Sequence, residues 1–204
     1  MHFTPKDLFG LIAGTSFAAG LNLYATLATL GLLSRADVIA LPPSLHLLES
    51  WWVIGASVAL FGIEFFADKI PVFDLLWNAL HTFIRVPVAA LIAYQASAQL
   101  PPQYQIATAV AGGLIAFAAH GGKTAARAVI TPSPEPVSNM ALSVGEDVGA
   151  ITLTWLATRH PYAAGVTVAV LILVVILSLK FVFKALRTLF RGAETRLEKS
   201  SGLS

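Results

Sequence analysis

Long apolar segments separated by short polar ones run through the whole chain. A membrane-crossing α-helix needs about 20 mostly apolar residues. Trp51 and Trp52 open one such segment, as in the aromatic belts of membrane interfaces. Pro71 opens another, at the helix position that proline favours. The pattern predicts an all-α, polytopic transmembrane bundle of about six spans, near 8–33, 51–68, 71–98, 104–120, 138–157 and 162–179.

The composition supports a membrane protein. Hydrophobic residues make up 56% of the 204 residues, and charged residues make up 12%, against about 25% in soluble domains. The mean hydropathy is +0.76. A signal peptide has an apolar core of about 7–15 residues, whereas the first apolar segment here continues to Leu33. We therefore expect that segment to be retained as the first span.

The basic residues predict an orientation. If the N-terminus is cytoplasmic, only Arg35 and Arg159 lie between spans on the outer side. The positive-inside rule then predicts a membrane protein with both termini in the cytoplasm. We expect a transmembrane domain over 1–185 and a basic cytoplasmic tail over 186–204, entered by an amphipathic helix along the inner leaflet. The inner side would hold ten bases: Lys6, Lys69, Lys123, Arg127, Lys180, Lys184, Arg187, Arg191, Arg196 and Lys199.

Polar residues line one face of the second and third predicted spans. Glu64 and Asp68 are four residues apart and share a helix face. A charge at the bilayer centre costs about 2.5–3.5 kcal/mol on insertion scales, so we expect Glu64 or Asp68 to pair with Arg85 or His81. Such a pair could be structural or functional. The stripe on the third span consists of Asp74, Asn78, His81 and Arg85.

The fifth span carries two adjacent acids, Glu146 and Asp147. Neighbouring residues on a helix point about 100° apart, since there are about 3.6 residues per turn. The two carboxylates therefore cannot easily share one partner, and at least one should face the bundle interior.

A basic patch precedes that span. His120, Lys123 and Arg127 are expected near the inner surface, after a helix break at Gly121-Gly122. Three prolines between 132 and 136 exclude a continuous helix into the fifth span. The segment 121–139 is therefore either a cytoplasmic loop or a partly re-entrant one.

A weak internal repeat is a further hypothesis. An offset of 92 residues aligns SRADVIALPP with ARAVITPSPEP, and Ala19-Gly20 with Ala111-Gly112. A repeat of three spans would place the two halves antiparallel, as in many transporters.

Three stretches carry a resemblance to a known family. They read AAGLNLYATLATLGLLSR, EFFADKIPVFDLLWNALHTFIRVP and KTAARAVITPSPEPVSNMALSVGEDV. Together they resemble the bacterial membrane proteins catalogued as domain of unknown function 4126, over about residues 8–180. The resemblance implies a multi-pass inner-membrane protein. It implies no substrate and no catalytic residue.

The function expected from the residues is transport. The chain has no G-x-S-x-G or H-E-x-x-H motif, so we expect no enzyme, and neither a cofactor nor a resident metal. A divalent-ion site built from the acids and His81 is a weaker alternative. The expected partners are the lipid bilayer and a small ion or small-molecule substrate, with self-association as a further option and no nucleic acid. The charged pathway would consist of Glu64, Asp68, His81, Arg85, Glu146 and Asp147, with Lys123 and Arg127 as a cytoplasmic basic patch.

A rival hypothesis comes from another class of protein. The same charges could lock helices together in a membrane scaffold or lipid-binding protein that transports nothing.

Overall fold

The computed structural model describes the backbone of residues 5–67, 71–130 and 136–200, and the side chains of 7–67, 80–126, 140–181, 183, 184 and 187. These ranges are helical and contain no strand, so the all-α prediction is confirmed. A short 3₁₀ helix, Pro43–Glu49, precedes the third of seven α-helices. These are α1 Pro5–Leu21, α2 Leu23–Arg35, α3 Trp51–Ala67, α4 Pro71–Ala96, α5 Pro102–Ile130, α6 Pro136–Arg159 and α7 Pro161–Ser200.

The first predicted span is interrupted at Asn22. This residue is extended, with φ −146° and ψ 107°, and it separates α1 from α2. Its side-chain Oδ1 accepts a hydrogen bond from the backbone amide of Ala25 at 2.9 Å. Asparagine is a favoured N-cap because its side chain replaces the missing backbone acceptor of a new helix. One residue therefore ends α1 and starts α2.

Contacts with α6 give the direction of α1. Gly14 packs on Ala157, and Leu21 reaches Gly149, about two turns nearer the start of α6. The contacts move backward along α6 as α1 advances, so the two helices are antiparallel.

Contacts with α6 also give the direction of α2, which is opposite to that of α1. Asn22, just before α2, bonds to Asp147. Val38, just after α2, accepts a hydrogen bond from Arg159 at 2.8 Å. Since α2 runs parallel to α6 and α1 runs antiparallel to it, the chain reverses at Asn22. We call residues 5–35 the α1–α2 hairpin, with Asn22 at its tip.

The prediction of one span over 8–33 is therefore wrong. An apolar helix and its return look like one long apolar segment in sequence. We call the end of the bundle where α1 begins and α2 finishes the hairpin end; the tip at Asn22 points away from it. The hairpin end also holds Leu100 and Pro161, which lie against Phe9 and Gly10. Helix α7 starts there and runs away from it. The described chain ends, Pro5 and Ser200, therefore lie at opposite ends of the bundle, an arrangement that does not favour both termini sharing one side of a membrane.

Two other predicted features change in the structure. Helix α5 continues through Gly121-Gly122 to Ile130, so these glycines do not break it. Glycine is frequent inside membrane helices, where neighbouring helices hold the backbone. Helix α6 begins at Pro136, and 131–135 lie outside the described residues. The described parts of 121–139 are thus helical. The segment that enters the bundle and returns is the α1–α2 hairpin, with its tip at Asn22.

The internal repeat is not confirmed. The 92-residue offset aligns the hairpin tip, Asn22, with Leu114, which lies inside the continuous helix α5. The two aligned segments therefore have different architectures.

Two helical stretches, Pro102–Ala126 and Pro161–Phe181, are long and apolar enough to cross a membrane. The 3₁₀ helix and α3, which are bent by 63° relative to each other, would make a third if they form one span. The stretch from Lys180 to Ser200, predicted to be helical, continues α7 without a break.

Helix α1 is the centre of the bundle and packs against α4, α5, α6 and α7. Its glycines allow the close approach. A Cβ added at Gly20 would lie 2.4 Å from the Ala116 carbonyl oxygen, and one at Gly10 would overlap the Pro161 carbonyl. Small residues let helices approach closely in membranes. The neighbouring helices therefore approach the α1 backbone itself.

This packing predicts a difference between two glycine-to-alanine changes. Gly20→Ala should lower stability by about 1–3 kcal/mol, the usual cost of overpacking. Gly55→Ala in α3 is the matched control, because its added Cβ meets nothing within 4 Å. It should be neutral or stabilising by up to about 1 kcal/mol. Thermal unfolding in detergent measures both, and equal midpoints would contradict the close contact of α1 with α5.

Candidate functional site

Charged side chains from four helices meet at the hairpin tip. Glu64 comes from α3, Arg85 from α4, Lys123 from α5, and Glu146 with Asp147 from α6. None is more than 7% exposed. Asp147 is 12 residues from the end of α6, which places it about 18 Å from the hairpin end at about 1.5 Å per residue. The charges therefore lie deep within the bundle.

The carbonyl of Leu21 is the centre of this cluster. In a continuous helix it would accept from the amide of Ala25, but that amide bonds to Asn22 instead. The freed carbonyl accepts from Arg85 Nη1 at 3.2 Å and from Lys123 Nζ at 3.3 Å. A helix C-terminus carries a partial negative charge, so both cations are stabilised there.

Three ion pairs among the described residues cross between helices. Arg85 Nη2 donates to Glu64 Oε1, and the two side chains are almost fully buried. Lys123 Nζ lies 3.7 Å from the same oxygen and 3.0 Å from Glu146 Oε2. The predicted pairing of Glu64 with Arg85 is confirmed. The chain of contacts links α3, α4, α5 and α6.

The two adjacent acids of α6 are both buried, and each has its own partner. Asp147 Oδ1 accepts from Asn22 Nδ2 at 2.8 Å, whereas Glu146 pairs with Lys123. The prediction that at least one would face the interior holds for both. Their divergent directions on the helix explain why two partners are needed.

Histidines extend the polar network at its edge. His81 Nε2 shares a hydrogen bond with the Tyr24 hydroxyl at 2.8 Å. His120 Nδ1 lies 3.4 Å from Arg85 Nη1, and its Nε2 lies 2.7 Å from Thr82 Oγ1. An arginine can only donate. In this arrangement Nδ1 of His120 accepts, and Nε2 carries a proton that it can donate to Thr82.

The sequence identified most of the cluster but misplaced one member. Glu64, Arg85, Glu146 and Asp147 come together, and His81 lies beside them. Lys123 was expected in a cytoplasmic basic patch, which is wrong, because α5 continues past the glycines and buries it at 4% exposure. The side chains of Asp68 and Arg127 lie outside the described residues.

The charged pathway predicted from the sequence did not include Asn22, the Leu21 carbonyl or Tyr24. An asparagine in an otherwise apolar segment was the one available signal. The weaker alternative of a divalent-ion site gains no support, because the described residues contain no group of three or more His, Asp or Glu placed to hold a metal.

Three cavities lie elsewhere in the molecule, and none of these three is lined by the charged cluster. One of about 960 Å³ opens at the hairpin end between the end of α2, the 3₁₀ helix and the α4–α5 turn. Arg35 stacks on Trp51 at 4.4 Å beside it. His46 and Ser34 both contact the Glu49 carboxylate, which lines the same cavity.

Fold and site together define a helical protein with membrane-length apolar helices around a buried charged centre. Comparison with protein-family models matches residues 9–181 to the family described as Domain of unknown function (DUF4126). The chain belongs to this family, as its sequence stretches indicated. Searches of curated proteins and of solved structures gave no match.

The Asn22 cap predicts a loss of stability when it is removed. Asn22→Ala should cost about 1 kcal/mol for the cap, and about 1–3 kcal/mol more for the buried hydrogen bond lost by Asp147. Asn22→Asp is a useful comparison because it keeps the cap and places a carboxylate against Asp147. Thermal unfolding in detergent should show both variants below the wild type. A wild-type midpoint for Asn22→Ala would contradict the role of the tip.

The buried ion pair predicts a double-mutant result. Arg85→Met should destabilise the protein by about 3–5 kcal/mol, because it leaves Glu64 charged and buried without its main partner. Adding Glu64→Gln removes that charge, so the double variant should be more stable than Arg85→Met alone. Unfolding midpoints of the two single variants and the double variant give the coupling energy. Additive losses would mean that the pair contributes no coupling.

Proposed function

We propose that the protein is an integral membrane protein in which α3–α7 cross the bilayer and the α1–α2 hairpin enters it and returns. The distribution of polarity supports this. Large apolar side chains face outward, with Trp52 89% and Phe83 81% exposed, whereas Glu64 and Arg85 are buried. A soluble protein has the opposite arrangement.

The proposed orientation places the hairpin end outside the cytoplasm. The α7 end then lies inside, with exposed Lys180 and Arg187 beyond the apolar part of that helix. This follows the positive-inside rule and suits a bacterial inner membrane.

The proposed activity is the transport of a small ion or polar solute. The observation that carries it is the hairpin tip, which ends among buried charges at mid-helix depth. Non-helical backbone at membrane depth is tolerated only when it is buried in protein or lines a watery cavity. Transporters use the ends of discontinuous helices in this way to bind substrates and ions. Asn22 and the freed Leu21 carbonyl provide such an end.

The proposed pathway connects the hairpin end with the charged cluster. On the cluster side it includes Glu64, Arg85, Lys123, Glu146 and Asp147. The cavity of about 960 Å³ at the hairpin end offers an entry on the other side. Residues Thr26 and Ser34 on the buried face of α2 lie along the way and would supply polar groups.

A non-transporting scaffold remains the second candidate, and one observation favours it. The Arg85–Glu64 pair and the Lys123–Glu146 pair tie four helices together. In a scaffold, these contacts would serve cohesion alone. A transporter and a scaffold should respond differently to a substitution that removes a charge but keeps the shape of the side chain.

Asp147→Asn makes that change. An asparagine can still accept from Asn22 Nδ2, so the hydrogen bond at 2.8 Å and the fold should survive while the negative charge is lost. We expect a near-normal unfolding midpoint and at least about a tenfold lower flux, which corresponds to about 1.4 kcal/mol in the barrier. Flux is measured in proteoliposomes with radioactive sodium and, separately, with a pH-sensitive dye.

Asp7→Asn is the matched control, because it makes the same acid-to-amide change in the first turn of α1, outside both the charged cluster and the lining of the 960 Å³ cavity. It should keep most of the flux. If Asp147→Asn loses stability and the wild type carries neither sodium nor protons, the scaffold is the better account.

A further inference from the structure

The ammonium group of Lys123 is surrounded by oxygen atoms from three helices. Its Nζ lies 3.0 Å from Glu146 Oε2 of α6, 3.3 Å from the Leu21 carbonyl of α1 and 3.7 Å from Glu64 Oε1 of α3. Two are carboxylates, and one is a main-chain carbonyl freed by the helix break. Lys123 itself is 4% exposed. The group is thus a cation held inside the protein by oxygen ligands.

These ligands suit a free metal cation as well as an ammonium. Carboxylate and carbonyl oxygens are the ligands that hard, non-transition cations prefer. The second oxygen of Glu64, Oε2, is buried and has no hydrogen-bond partner among the described residues. It offers a ligand that the present contacts do not use. The negative end of α1 adds to the attraction for positive charge.

We propose that this oxygen cage, formed by the Leu21 carbonyl, Glu64 and Glu146, is a binding site for sodium, and that the Lys123 ammonium is its tethered competitor. The inference rests on the proposed transport function and names its cargo as a monovalent alkali cation. Sodium enters as the ammonium leaves, so one positive charge replaces another. The buried charge of the cage is then the same in both states.

The two cations of the cluster differ in their ability to leave. Arg85 has a rigid, planar guanidinium that contacts Glu64, the Leu21 carbonyl and His120 together. Lys123 carries a compact ammonium on a flexible four-carbon stem. It also follows Gly121-Gly122, and glycine weakens a helix by about 1 kcal/mol per residue. Lys123 is therefore the cation that can exchange, while Arg85 holds the site in shape.

Charge balance selects a monovalent ion. Removing the ammonium takes away one positive charge, and sodium restores it. A divalent cation would add a second positive charge next to Arg85, which stays in the site. We expect magnesium and calcium to bind much more weakly than sodium.

The first test uses the wild-type protein. Purified protein in detergent is treated with an amine-reactive reagent in sodium chloride or in choline chloride, and modification of Lys123 is quantified by mass spectrometry. Sodium should raise the labelling of Lys123 several-fold, because it displaces the ammonium from the cage. Lys180, exposed on α7, is the internal control and should not change. Equal labelling of Lys123 in the two salts would overturn the proposal.

The second test removes the competitor. If the ammonium fills the cage about nine-tenths of the time, only about one site in ten is open to sodium. Lys123→Met should then strengthen sodium binding about tenfold, because the apparent affinity is proportional to the fraction of open sites. Isothermal titration calorimetry with sodium chloride into choline buffer measures this. Adding Glu146→Gln to Lys123→Met should abolish the gain. Unchanged affinity in Lys123→Met, or tighter binding of magnesium than of sodium, contradicts a monovalent site.

The outcomes separate this inference from the transport function. Sodium-independent labelling of Lys123 together with Asp147-dependent proton flux would overturn the sodium site and leave transport standing. Sodium-dependent labelling without any flux would support the site and contradict transport.

Discussion

One main-chain carbonyl that lacks its helical partner organises the centre of this protein. Asn22 takes the amide of Ala25 for its own side chain, and the carbonyl of Leu21 is left without its helical partner. In an apolar interior such a group costs several kcal/mol unless it is hydrogen-bonded. Arg85 and Lys123 supply the donors, and they in turn require the carboxylates of Glu64 and Glu146. The buried charges and the helix break are thus parts of one arrangement.

This dependence explains how so much charge is tolerated among apolar helices. Each cation contacts both a carboxylate and the negative end of α1, so two interactions offset the free-energy cost of its desolvation. Three of the helices that carry these charges, α4, α5 and α6, pack on α1, which explains why the glycines of that helix matter. Because α1 has glycines at its contacts, α4, α5 and α6 can approach it closely and bring their charged groups to the same point. The packing of small residues and the polar centre are therefore coupled.

The sequence predicted those features that leave local signals. Pro71 and the tryptophan pair at 51–52 give the starts of two helices, and the polar helix faces predicted the pairing of Glu64 with Arg85. The hairpin left no such signal, because an apolar helix that returns has the same hydropathy as one that crosses. The depth of Lys123 was missed for a related reason. Gly121-Gly122 resembles a helix end in sequence, but tertiary packing keeps α5 helical there.

The extended conformation of Asn22 also has a mechanical consequence. Helix α2 packs on α3, the 3₁₀ helix and α6, while α1 packs on α4–α7. The backbone of Asn22 bonds backward to Ala18 and forward to Thr26, so neither helix depends on the other for its main-chain ladder. A rotation about the two dihedrals of this residue would swing α2 and α3 together as one arm, and it would have to break the contacts between α2 and α6. Glu64 belongs to α3, so such a swing would move its carboxylate away from Arg85 and Lys123 and break the ion pairs at the centre of the bundle.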